Sequence, residues 1–126
     1  MRYLGLDYGA KRIGLALSSE GIAFPQGIIA NDNNLFPFLR EMVEREKVSS
    51  IVVGDTRTLG GSANPITKDA EAFMKRLAKE TNLPVLGARE AESSREASRY
   101  VEETRDDAAA AIILQRYLDM RGSAMQ

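Results

Sequence analysis

Residues Met1 to Ser18, MRYLGLDYGAKRIGLALS, decide the fold. The stretch reads as two short strands folded about a tight turn, with one carboxylate, Asp7, where the first strand stops. From Arg2 to Asp7 the side chains alternate, so Leu4 and Leu6 point to one face while Tyr3, Gly5 and Asp7 point to the other. Asp7 therefore ends a row with little side-chain bulk beside it. Gly9 can take the positive φ that a chain reversal demands, and Lys11 and Arg12 put positive charge next to the acid. The second strand, Arg12 to Ser18, alternates Ile13, Leu15 and Leu17 against Gly14, Ala16 and Ser18, small residues that can leave room for a ligand near Asp7. An Asp close to Gly is also common hairpin punctuation, in which the carboxylate only holds the turn. The hairpin alone leaves both readings open.

Outward from this hairpin, Ile22 to Ala30 reads as a third strand weakened at Pro25, which makes an antiparallel meander. The period then changes to that of a helix: Leu35, Phe38, Leu39, Met42, Val43 and Glu46 share a stripe, with Asp32 or Asn33 as N-cap. Ser50 to Gly54 is a continuous β-branched run, the pattern of a strand covered on both faces. Asp55 to Asn64 reads as a loop. Its backbone N–H groups, with Arg57, can approach a phosphate, although it matches no phosphate-loop motif and such a segment is more often a plain connection. Pro65 suits a first helical position, and Ile66, Ala70, Phe73, Met74, Leu77 and Ala78 form the buried stripe of a helix reaching about Thr81. A fifth strand, Leu83 to Gly87, follows. Ser93 and Glu96 make a capping box for a helix with Ala97, Tyr100 and Val101 inward, and Thr104 with Asp107 begins another. In that last helix Ala110, Ile113, Leu114, Tyr117 and Leu118 share one face, and Gly122 fits a C-terminal stop. The expected organisation is one domain over 1–121 and a tail over 122–126.

Composition removes whole classes of chemistry. The 126 residues contain no Cys and no His, which excludes disulfides, Cys/His zinc sites, thiol nucleophiles and an imidazole base. What remains is carboxylates, Lys, Arg, hydroxyls or a metal held by oxygen. No apolar run approaches the ~20 residues of a membrane span, so a cytoplasmic protein without a membrane partner is expected. The formal net charge of −1 gives no general pull toward a polyanion and leaves room for a local basic face.

The acids fall where a parallel sheet would use them. Strands joined by helices run parallel, and ligands bind beyond their carboxyl ends. Asp7 closes the first strand, Asp55 follows the fourth and Glu90 comes shortly after the fifth. Asp106 precedes Ala110, Ile113, Leu114 and Tyr117 on the same helical line and so heads the buried stripe, unless it serves only to favour the helix N-terminus. Converging carboxylates repel one another unless a hard divalent cation, Mg²⁺ or Mn²⁺, joins them. Two such ions can clamp a phosphodiester and activate water, which suits a chain without histidine.

Together, LGLDYGAKRIGLALS, AFPQGII, IVVG, the acid after LPVLGA and the closing D-x-x-A-A-A-x-I-L-Q-x-Y-L resemble the YqgF/RuvX family of pre-16S rRNA nucleases, also described as Holliday junction resolvase-like. The resemblance spans nearly the whole chain. It implies an RNase H-like α/β fold, a mixed five-stranded sheet flanked by helices, with metal-dependent cleavage of nucleic acid at three acids. Carried over by position, those acids are Asp7, Glu90 and Asp106, as catalytic residues and metal ligands. The implied partner is an rRNA precursor or branched DNA, and the implied assembly a monomer or homodimer.

The chain departs from the family in three places. Arg89 and Ala91 flank Glu90 where the family carries Asp-Glu-Arg; Asp55-Thr56 stands where an apolar residue and Pro are usual; and Val101 to Arg105 is too short for the basic segment that precedes the last acid. Arg95, Arg99 and Arg105 can compensate if they face the site. The competing readings are a junction resolvase, which needs a dimer to cut two strands, and a nucleic-acid-binding scaffold that has lost turnover. An actin-type ATP site needs two such domains and ranks behind them.

Overall fold

The computed structural model describes residues 2–54, 68–87 and 106–124, the last segment with side chains from Ala109 to Asp119. Along the chain lie β1 (Tyr3–Asp7), β2 (Arg12–Ser19), β3 (Ile22–Ala30), α1 (Leu35–Arg45), β4 (Ser50–Gly54), α2 (Lys68–Thr81), β5 (Val85–Gly87) and α3 (Asp106–Ala124). The expected capping-box helix from Ser93 and the loop from Asp55 to Asn64 fall outside the described residues.

The sheet has the order β3-β2-β1-β4-β5. β1, β2 and β3 form the antiparallel meander, whereas β1, β4 and β5 run parallel. Strand alternation sorts the core into two layers. Leu4, Leu6, Ile13, Leu15, Ile51 and Val53 pack with Leu35, Leu39, Met42, Phe73 and Leu77 from α1 and α2. Tyr3, Ala16 and Val52 pack on the other face with Ala110, Ile113 and Leu114 from α3. Ile51, Val52 and Val53 are wholly buried, as a doubly covered strand requires.

Local chemistry sets the connections. Glu20 (φ 52°) and Gly21 (φ 83°) form a two-residue turn between Ser19 and Ile22, the left-handed pair that matches hairpin twist. Pro25 sits on the edge strand, where no ladder bond is lost, and the register slips at Leu15/Ala16 so that Gln26 forms a bulge. Lys47 (φ 55°) closes α1, with the Val48 N–H donating to the Val43 carbonyl at 2.9 Å.

Several expectations need correction. Asn34, not Asp32 or Asn33, is the N-cap of α1, and Asp32 instead accepts the Asn34 N–H through Oδ1 at 2.9 Å. Phe38 is 40% exposed rather than in the core, because it lies roughly 85° from the centre of the Leu35, Leu39, Met42, Val43 stripe at 100° per residue. β5 begins at Val85, and the preceding Pro84 contributes only its carbonyl, accepting from the Ile51 N–H. α3 runs through Gly122 to Ala124, since one glycine costs a helix only about 1 kcal/mol.

Candidate active site

Asp7 ends β1 with its Cα opposite Gly54, the last residue of β4, and Gly14 of β2. Gly87, the last residue of β5, stands opposite Val53. The carboxyl ends of the three parallel strands thus form one rim, with Asp7 and the end of β5 about 10 Å apart at two strand spacings. Asp7 faces the α3 side, in line with Tyr3 and Gly5, and is only 7% exposed.

α3 is drawn close by the missing side chain at Gly5. A β-carbon there would stand 2.7 Å from Leu114 Cβ and 3.2 Å from the Ala110 carbonyl oxygen. The Tyr3 and Tyr117 rings meet at 5.7 Å, one step further from the rim. Moving from Tyr3 through Gly5 toward Asp7 therefore means moving from Tyr117 through Ala110 toward the helix start. Two strand residues span about 6.7 Å and four helical residues about 6 Å, so the backbone of Asp106 begins α3 alongside Asp7.

The turn after Asp7 is clamped from three sides. The Tyr8 N–H donates to the Gly54 carbonyl at 2.7 Å, and the Tyr8 ring lies 5.0 Å from that of Phe73. Asn31, just past β3, donates its backbone N–H to the Lys11 carbonyl and its Nδ2 to the Gly9 carbonyl, both at 2.9 Å. Gly9 is needed for a reason other than the expected positive φ, which the described glycines show only at Gly21 and Gly27. A β-carbon at Gly9 would lie 2.5 Å from the Arg12 carbonyl oxygen, so the turn is too tight for one.

Lys11 and Arg12 are exposed on this turn, at the rim that holds Asp7. Of the row Gly14, Ala16 and Ser18, Gly14 is the member opposite Asp7, and the two further along are taken up by packing and hydrogen bonding. Ala16 is wholly buried against α3, and Ser18 Oγ accepts the Tyr3 N–H at 2.8 Å. Glu90, Asp55, Arg57 and Arg95 lie outside the described residues, as does the side chain of Asp106. Among the described residues no three Asp or Glu side chains form a metal cluster; Asp7 is the one predicted ligand whose side chain is described. That donor, a buried carboxylate in a chain without His or Cys, fits a hard cation and no softer metal. Sequence reasoning missed Asn31, whose polar side chain carries no periodic signal. Its reach back to Gly9 becomes visible only once the meander sets the end of β3 beside the turn between β1 and β2.

Comparison with known proteins bears on the family and the fold. Residues 1–120 match the family model described as RuvX: Holliday junction resolvase. A protein of Nitratidesulfovibrio vulgaris is 34% identical over 134 residues, covering 95% of this chain and 94% of its own. One of a Geobacillus species is 34% identical over 137 residues, covering 96% of this chain and 99% of its own. Both are named "Putative pre-16S rRNA nuclease". Among solved structures, Thermus thermophilus RuvC in complex with a Holliday junction substrate superposes with a TM-score of 0.58 at 14% identity, over 97% of this chain and 96% of that one. The sheet order and flanking helices are thus RNase H-like, as the sequence implied.

Proposed function

Since the chain belongs to the RuvX family, we propose that it is a metal-dependent nuclease that hydrolyses phosphodiester bonds of structured RNA, acting on the 5′ end of a 16S rRNA precursor. The observation that carries this reading is the buried carboxylate of Asp7 at the carboxyl rim, beside the first turn of α3. Asp7, Glu90 and Asp106 are the proposed ligands of Mg²⁺ or Mn²⁺. When bound, the cation supplies Lewis-acid polarisation of the phosphate and a lowered pKa for attacking water. The chain's own part is to hold the carboxylate rigidly, through the β1 ladder, and to meet the substrate's charge with Lys11 and Arg12 on the clamped turn. Arg57 and Arg95 are proposed as further substrate contacts. Among the described residues no helix is long and apolar enough to cross a membrane, and an rRNA substrate points to the cytoplasm.

The junction-resolving alternative draws on the family description and on the RuvC superposition, which speaks for the fold alone. It requires two sites acting on symmetric strands and hence a dimer. Cleavage of end-labelled precursor rRNA and of a four-way DNA junction, each with Mg²⁺, Mn²⁺ or EDTA, separates the two. Metal-dependent cutting of the RNA, lost in Asp7→Asn with the melting temperature retained, is the expected result. Paired cuts in the junction favour a resolvase. Binding of either probe without any cutting leaves a scaffold and refutes the nuclease.

A further inference from the structure

Among the described residues the β3 edge is closed along one half and open along the other, and the open half lies on the rim of Asp7. Opposed residues in an antiparallel pair alternate between exchanging both backbone bonds and exchanging none. Ser19 and Ile22 flank the two-residue turn and form the first bonded pair, so Ala23 and Pro25 turn their backbones outward. That half offers no N–H to a newcomer: the Ala23 N–H donates to Gln115 Oε1 at 2.9 Å, and Pro25 has none.

Beyond the Gln26 bulge the alternation restarts. The Asn31 N–H donates to the Lys11 carbonyl, which makes that pair bonded and turns Ile28 and Ala30 outward. Ile28 stands opposite Gly14, and Gly14 opposite Asp7, so the three share one row on the α3 face. Two strand spacings separate Asp7 from Ile28, about 10 Å. Exposure rises along the row, from Asp7 at 7% to Ile28 at 41%. Arg12, exposed and opposite Ala30, adds a cation to the same face, and Lys11 precedes it.

We infer that this open half-edge, Ile28 to Ala30 with Arg12, is the surface along which a nucleic-acid strand lies as it leaves the Asp7 site. Backbone N–H groups and an Arg are the groups that take phosphate oxygens, and an exposed Ile offers an apolar platform to a sugar or base. The inference rests on the nuclease reading and adds the side of the sheet on which substrate lies.

The test is binding of a fluorescently labelled precursor rRNA fragment by anisotropy, in an Asp7→Asn background that keeps the probe intact. Ile28→Glu is expected to weaken binding about tenfold, the scale of losing one base or sugar contact. Ala30→Pro, which removes an outward N–H and no ladder bond, is expected to weaken it severalfold. Phe24→Glu is the control: Phe24 is 48% exposed on the same strand but opposite Leu17, on the α1 and α2 face, and its replacement leaves affinity unchanged. All three keep the parent melting temperature. Parent affinity in Ile28→Glu and Ala30→Pro overturns the inference alone, as does an equal loss in Phe24→Glu. A dimer that Ile28→Glu turns into a monomer without loss of affinity assigns the edge to self-association and also overturns it. A wild type that neither binds nor cuts the probe removes the nuclease reading and this inference with it.

Discussion

Replacing Gly5 with alanine tests whether the spacing of α3 over β1 sets both stability and activity. The new β-carbon would begin 2.7 Å from Leu114 Cβ and 3.2 Å from the Ala110 carbonyl oxygen. Carbon–carbon contacts settle at about 3.5–4.0 Å, so strand and helix must part by about 1 Å. Leu114 and Ala110 are wholly buried, and the atoms met are a β-carbon and a carbonyl, which no rotamer change can move aside. Overpacking of this kind costs about 1–3 kcal/mol, offset by about 0.4–1 kcal/mol from the stiffer unfolded chain. A net loss of about 1–2 kcal/mol lowers the melting midpoint by about 4–8 °C in a chain of this size. The displaced helix also carries its first turn away from Asp7, and a misplacement of about 1 Å at a reacting centre can cost about 100-fold in rate. Urea melts should show a lower midpoint with the same slope, and cleavage assayed well below the melt should fall far more than the folded fraction does. Gly87→Ala is the comparison, because among the described residues its β-carbon would meet only Met74 Cε, at an ordinary 3.6 Å. A Gly5→Ala protein that melts and cuts like wild type would refute the close-approach argument.

Three further substitutions probe single polar contacts. Ser18→Ala leaves the buried Tyr3 N–H without the hydroxyl that accepts it at 2.8 Å, and a loss of about 1–3 kcal/mol by chemical denaturation is expected. Gln115→Leu frees the Ala23 N–H and the Gly21 carbonyl, now held at 2.9 and 3.1 Å; amide exchange at Ala23 should quicken and the protein should become more prone to associate through β3. Asn31→Ala removes the Nδ2 bond to the Gly9 carbonyl, for about 1 kcal/mol of stability, and should raise KM for the nucleic acid more than it lowers kcat, since the released turn carries Lys11 and Arg12 and not Asp7.

Some of the site was legible from local pattern alone. Alternation in Tyr3 to Asp7 put the acid on the face away from Leu4 and Leu6, and the structure finds those leucines in one core layer and Tyr3 in the other. The Ile51 to Val53 run announced a strand covered twice. The role of Gly9 was not legible, because positive φ and close backbone approach both call for glycine. Nor was the helix start at Asn34, since Asp32, Asn33 and Asn34 are all acceptable caps and only the path of the chain out of β3 selects among them.

Periodicity and composition therefore determined the element types, the two faces of the hairpin, the absence of imidazole and thiol chemistry, and Asp7 as a strand-end carboxylate. These are local properties, set by which neighbours share a face at a period of two or 3.6. Tertiary structure decided which strands are neighbours, that Gly5 admits α3 to within contact of β1, that Asn31 reaches back to hold the Gly9 turn, and which half of β3 Gln115 closes. Each joins residues far apart in the chain, and their distance is fixed by packing, which no local pattern encodes.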